Sequence, residues 1–131
     1  MSVRWDMSSH ARSFLSTFPV DVRGSASPER FADAVRLTLA DPGIDAVVAL
    51  HVARPAIGAT DSARAVANVA RESSKPVLGA WLGAVNRRDV DKALDAGGIA
   101  NFYTPENAVD AFSFLAAYRR NQAWLLEVPP P

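Results

Sequence analysis

The sequence predicts an α/β protein, an open parallel sheet with helices packed on both faces. Three observations predict it. Two short apolar runs, Ala46-Val47-Val48-Ala49-Leu50 and Val77-Leu78-Gly79-Ala80-Trp81, have the length of strands. The first, rich in Val and too short for a buried helix, reads as a strand covered on both faces. Between the two runs, Ala63, Val66, Ala67 and Ala70 recur three and four apart, the spacing of one helical face. Strand, helix and strand within about forty residues make a parallel βαβ unit with a right-handed crossover. The alternation extends to both sides, so four strand–helix pairs are expected, without internal repeat or low complexity. That pattern is a three-layer fold of flavodoxin-like type. The strand at 46–50 is expected at the sheet edge or beside the first strand.

Each element has a local reason. Residues 1–17 are mainly polar and small, with Phe14-Leu15 the only adjacent large apolar pair, and read as an N-terminal arm, loose or with a short helix. Residues 18–131 form the domain. Phe18-Pro19-Val20-Asp21-Val22 is a short extended run, with Pro19 tolerable at a strand's start. Ser27 is a natural N-cap, Pro28 fits the first helical position, and Glu29 complements the helix dipole. Phe31, Ala34, Val35, Thr38 and Leu39 then share one face until Asp41-Pro42-Gly43 ends the helix. After the central unit, Val90, Ala93 and Leu94 mark the inner face of a helix that stops at Gly97-Gly98. Ile99 to Tyr103 reads as a strand. Thr104-Pro105-Glu106 repeats the capping logic before a long helix with Ala108, Val109, Phe112, Leu115 and Ala116 as its core stripe. Arg119 to Gln122 interrupts that stripe, and Trp124-Leu125-Leu126 outlasts it. Those three are expected to meet another chain or domain, against the equally open reading that they fold back on this domain's own core. Pro129-Pro130-Pro131 reads as a stiff exit to a linker.

The totals exclude several classes. At 131 residues the chain suits one domain with a real core. Fourteen basic and fourteen acidic residues cancel, leaving no whole-molecule field for nucleic acid or a membrane surface. Without cysteine there is no disulfide framework and no thiolate chemistry. No apolar run approaches the roughly 20 residues of a membrane helix. Met1 to Asp6 lacks the apolar core of a signal peptide. A soluble, cytoplasmic protein is expected.

Ligands of such sheets bind at the carboxyl ends of the strands. The turns there carry Asp21, His51, Arg54, Thr60, Asp61 and Asn86. The helix opening near Thr60 offers free N–H groups and a positive dipole end to an anion, with Arg54 adding a full charge. Ala59, Thr60, Asp61 and Arg54 are therefore the candidate phosphate site, against the plainer reading that Thr60 only caps the helix. Asp21, His51 and Asn86 are the candidate pocket edge. His51 lacks a Ser, Cys or second His beside it, and a hydrogen-bonded structural histidine is the favoured reading. No metal-ligand spacing, phosphate loop or dinucleotide fingerprint is present. No catalytic residue and no metal site are assigned.

Several motifs stand in a familiar order: Pro19-Val20-Asp21-Val22-Arg23-Gly24, Asp41-Pro42-Gly43-Ile44-Asp45-Ala46, Lys75-Pro76-Val77-Leu78, Ala96-Gly97-Gly98-Ile99 and Tyr103-Thr104-Pro105-Glu106-Asn107-Ala108-Val109, then Tyr118-Arg119-Arg120-Asn121-Gln122. In these the chain resembles the last CoA-ligase-like domain of the NDP-forming acyl-CoA synthetases, relatives of succinyl-CoA synthetase. The resemblance covers residues 18 to about 130. It implies a reaction of acid, CoA and nucleoside triphosphate passing through an acyl phosphate and a phosphohistidine. It further implies that this domain does not carry that histidine. The domain instead presents the helix at Thr60-Asp61 to it and docks ATP-grasp and CoA-binding domains or subunits. CoA and ATP/ADP are then ligands of the full enzyme, none being bound by this domain alone, and the isolated chain is expected to be inactive. A homo-oligomer is compatible with this. The alternative is an interaction or regulatory module that keeps the fold without ligand chemistry. The chain departs from the family in its turns: Phe18 precedes Pro19, Ala53-Arg54-Pro55-Ala56 follows the central strand, and Gly83-Ala84 replaces a Gly-Gly pair.

Overall fold

Residues 19–54, 58–83 and 85–127 are described by the computed structural model. Their elements run α1 (Pro28–Ala40), β1 (Val47–Val52), α2 (Ala59–Arg71), β2 (Val77–Leu82), α3 (Arg87–Asp95), β3 (Ala100–Asn101) and α4 (Pro105–Glu127). The strands form one parallel sheet in the order β1-β2-β3. This is the open α/β architecture of flavodoxin-like type, with β1 at an edge of the described sheet.

Register explains which side chains go where. Val47 stands opposite Val77, and the pairing continues to Val52 opposite Leu82. Val47 N–H donates to Pro76 O at 3.0 Å and Ala53 N–H to Leu82 O at 2.9 Å. Odd-numbered β1 residues thus bond to β2, and the backbone groups of Val48, Leu50 and Val52 turn to the opposite edge. On one face of the sheet, α1, α2 and α3 lie side by side. Their Val35, Leu39, Val66, Val69, Val90 and Leu94 close one core with Ala49, Val77 and Trp81. On the other face α4 rests on β1 and β2, and Ala108, Leu78 and Ala80 are buried.

The helix ends follow local chemistry. Ser27 Oγ accepts from Arg30 N–H at 3.3 Å, and Thr104 Oγ1 accepts from Asn107 N–H at 3.1 Å. A backbone hydrogen bond and the Ser27 hydroxyl together hold the Glu29 carboxyl below its ordinary value. Lys75, in the loop before β2, does more than break a helix. Its Nζ donates to Leu39 O at 2.8 Å and Asp41 O at 2.6 Å, satisfying carbonyls at the end of α1. At the end of α3, Gly98 takes φ +71, the left-handed conformation of a helix stop. Its neighbour Gly97 is required for another reason: a Cβ there would stand 2.6 Å from Ala67 Cα. Only glycine lets α3 end this close to α2.

The structure corrects four expectations. Pro19–Val22 is not a strand. Asp21 Oδ1 accepts from Arg23 N–H at 2.7 Å, and Arg23 sits at φ +66, so the segment is committed to a turn. The last strand shrinks to Ala100–Asn101, because the Asn101 side chain, not backbone, accepts the Trp81 N–H at 3.0 Å. β1 is not covered on both faces, since Leu50 and Val52 are 48% and 62% exposed. In α4 only Ala108 of the expected stripe is buried; Val109 and Leu115 are exposed. The helix continues through the polar Arg119 to Gln122 stretch and Trp124-Leu125-Leu126, and those three are exposed. The arm at 1–17, Phe18 and the prolines at 129–131 lie outside the described residues.

Candidate functional site

The central feature is the junction of β1, β2 and α2. Trp81 is buried near the end of β2, and its Nε1–H donates to Ala59 O at 3.1 Å. That bond ties the first residue of α2 to the sheet. The Trp81 ring also stacks on His51, with centroids 5.6 Å apart and planes 10° apart. Phe31 of α1 meets both rings, at 5.8 Å from His51 and 6.0 Å from Trp81. Three aromatic rings from three elements therefore fix where α2 begins.

The cap lies two residues before the expected one. Gly58, not Thr60, is the N-cap, and it has no side chain to bond the first turn. Thr60 does not cap the helix. The first-turn amides of Ala59, Thr60 and Asp61 are left without a side-chain cap, at the positive end of a 13-residue helix. Asp61 folds its carboxylate back over Gly58, where a Cβ would stand 2.6 Å from its Oδ2. Its Oδ1 also takes a hydrogen bond from Arg64 Nη1 at 3.0 Å. An anion approaching this terminus meets free donors and one carboxylate.

His51 is structural through stacking rather than through hydrogen bonding, a correction to the expectation. Its Nδ1 is buried without a hydrogen-bond partner. Burial pushes its pKa below the ordinary value of 6.5, so the ring is neutral at pH 7. Ser62 Oγ, in the first turns of α2, is likewise buried and unpartnered. Nothing in the helical spacing distinguished it from the small residues around it.

Asp21, His51 and Arg54 are brought together along one groove of about 610 Å³, which also borders Val22, Gly24, Phe31 and Val35. The Arg54 guanidinium lies against Gly24; a Cβ there would stand 2.6 Å from Nη2. Asn86 is not part of this groove. It caps α3, accepting from Asp89 N–H through Oδ1 at 3.4 Å and donating to Asp89 Oδ2 at 2.8 Å. A second polar cluster lies beyond β3, where the Arg87 guanidinium sits 3.7 Å over the Tyr103 ring. There Asn101 Nδ2 donates to Asp91 Oδ1 at 2.7 Å. Sequence reasoning missed it because its members are far apart in the chain. No group of side chains among the described residues is arranged to hold a metal ion. No helix among them is long and apolar enough to cross a membrane.

Fold and site together define a parallel α/β domain whose polar features gather at the carboxyl edge of the sheet, around an uncapped helix start. The family model for the Ligase-CoA domain matches residues 1–126. The chain belongs to that family, and is a CoA-ligase-like domain of the NDP-forming acyl-CoA synthetase type. It is 28% identical over 105 residues to an ADP-forming acetate–CoA ligase I of Archaeoglobus fulgidus, covering 80% of this chain and 14% of that protein. It is 27% identical over 107 residues to the alpha subunit of an ADP-forming acetate–CoA ligase I of Pyrococcus furiosus, covering 80% of this chain and 23% of that subunit. The chain thus matches less than a quarter of the length of either relative. No solved structure matches it.

Proposed function

We propose that this domain is an accessory part of an NDP-forming acyl-CoA synthetase, which receives a phosphoryl group at the start of α2 and is not catalytic alone. The phosphoryl group is carried by a histidine of a partner domain. ATP-grasp and CoA-binding domains of the same cytoplasmic enzyme supply the nucleotide, CoA and acyl chemistry. The observation that carries this reading is the Gly58 N-cap, which leaves the Ala59, Thr60 and Asp61 amides free for phosphate oxygens. Trp81 supports it by anchoring that turn through Ala59. Arg54, whose guanidinium lies against Gly24, is the full charge at the same edge of the sheet.

Energetics favour a partner-dependent site. A helix terminus contributes about 0.3–1 kcal/mol to an exposed anion, whereas even millimolar affinity takes about 4 kcal/mol. Free phosphate therefore binds weakly, and useful affinity requires a partner domain to present the group. The test is a titration of inorganic phosphate followed by backbone amide shifts. Shifts centred on Ala59, Thr60 and Asp61 are expected. Arg54→Ala weakens them with little change in thermal stability, since an exposed charge contributes little to folding. Asp61→Asn removes the opposing carboxylate and strengthens binding about threefold, a change of about 0.6 kcal/mol. Shifts clustered elsewhere, or weaker binding by Asp61→Asn, contradict the assignment.

A specific observation also favours a docking role. Along α4, Phe114, Tyr118, Trp124, Leu125 and Leu126 are exposed. Their apolar side chains surround the far end of the helix, as expected of a helix that is covered in its assembly.

A further inference from the structure

The phosphate reading leaves the groove beside β1 without a purpose. It runs the length of β1, is bordered by every residue from Ala46 to Val52, and is closed on its other side by Val20, Val22, Phe31 and Val35. Six strand residues at about 3.3 Å each make it roughly 20 Å long. Two features restrict what fits. First, one wall is a strand edge. Odd-numbered residues of β1 bond to β2, and among the described residues β1 pairs with no other strand. The N–H and C=O groups of Val48, Leu50 and Val52 therefore form a row along the groove, which an aliphatic molecule would desolvate without satisfying. Second, the end of the groove beyond Val52 holds Arg54, which forms no ion pair with a described residue. Natural edge strands are blunted by lysine, proline, bulges, inward charges or a covering loop or helix. Val47-Val48-Ala49-Leu50-His51-Val52 has no lysine or proline, and among the described residues the 19–24 loop lines the groove without a backbone hydrogen bond to the strand.

We propose that the open edge of β1 accepts an extended strand from another polypeptide, with apolar residues at alternate positions and an acidic residue where it meets Arg54. Such a strand supplies the missing donors and acceptors. It also fills the apolar groove with its side chains and pairs the unmatched cation. The proposal goes beyond phosphate binding and does not depend on it.

The test combines amide hydrogen exchange on the full chain with two acetylated hexapeptide probes, Val-Thr-Val-Thr-Val-Asp and the reversed Asp-Val-Thr-Val-Thr-Val. In the chain alone, the Val48, Leu50 and Val52 amides exchange faster than those of Val47, Ala49 and His51. Either peptide slows them. Replacing the peptide's Asp by Lys, or Arg54→Ala in the protein, weakens that protection. Leu50→Pro lacks one edge donor and lowers peptide affinity about tenfold. Leu50→Lys tests the same edge by adding a charge, should the proline variant fail to fold. Equal protection of odd and even amides in the chain alone would mean the edge is already covered, and would overturn the proposal. So would an absence of protection at millimolar peptide, or protection confined to α4.

Discussion

Replacing Trp81 by Phe tests whether one buried ring connects the core to the start of α2. The residue is 1% exposed, so the truncation cannot be relieved by solvent. Its Nε1–H bond to Ala59 O disappears, at about 1 kcal/mol for a neutral hydrogen bond. Ala59 O keeps the helix's own acceptor role, so no orphaned carbonyl adds to the cost. The smaller ring also gives up roughly 50 Å² of buried surface, or about 1.3 kcal/mol at about 25 cal/mol per Å². The total is about 2–2.5 kcal/mol, which for a domain of this size lowers Tm by roughly 8–10 °C. Denaturant unfolding gives the energy, and amide spectra show where it acts. Beyond the ring's own contacts with Phe31 and His51, the Ala59, Thr60 and Asp61 amides should shift and exchange faster. A loss below about 0.5 kcal/mol, the usual range of a surface change, would refute the reasoning. So would a full loss of stability with α2's first turn unchanged.

Two further predictions come from the same packing. Gly97→Ala places a Cβ against the backbone of Ala67, so α2 and α3 must part; thermal unfolding should show a cost of about 1–3 kcal/mol. His51 is held below its ordinary pKa by burial, so the unfolded chain takes up that proton first as pH falls. Its contribution to stability is complete above the unfolded value of 6.5 and is lost as pH drops through the lowered folded value. Denaturation midpoints measured from pH 8 to pH 5 should fall, and His51→Phe should flatten that part of the curve.

What could be read from the residues was what depends on near neighbours. Ser27-Pro28-Glu29 and Thr104-Pro105-Glu106 announced their helices because a cap needs only residues three apart. The βαβ unit was legible from its periods. Pro19–Val22 was misread because alternating apolar residues mark an extended segment, not whether a partner strand lies beside it. The α4 stripe failed for a similar reason: spacing identifies a face, while burial needs a neighbour to cover it. The helix start near Thr60 and Asp61 was legible because helix starts follow strands in such units. The glycine cap, the Trp81–Ala59 bond and the unpartnered Ser62 hydroxyl rest on contacts between distant residues or on backbone detail. Asn86 was correctly placed at a turn, but its side chain is engaged with Asp89.

The most direct test of the proposed role is the binding of a peptide bearing a stable phosphohistidine analogue, compared with the same peptide carrying unmodified histidine. If the uncapped start of α2 receives a phosphoryl group, the phosphorylated peptide binds more tightly. Its amide shifts then centre on Ala59, Thr60 and Asp61, and Asp61→Asn widens the difference between the two peptides. Equal binding of both, or shifts that leave the first turn of α2 untouched, would contradict the account.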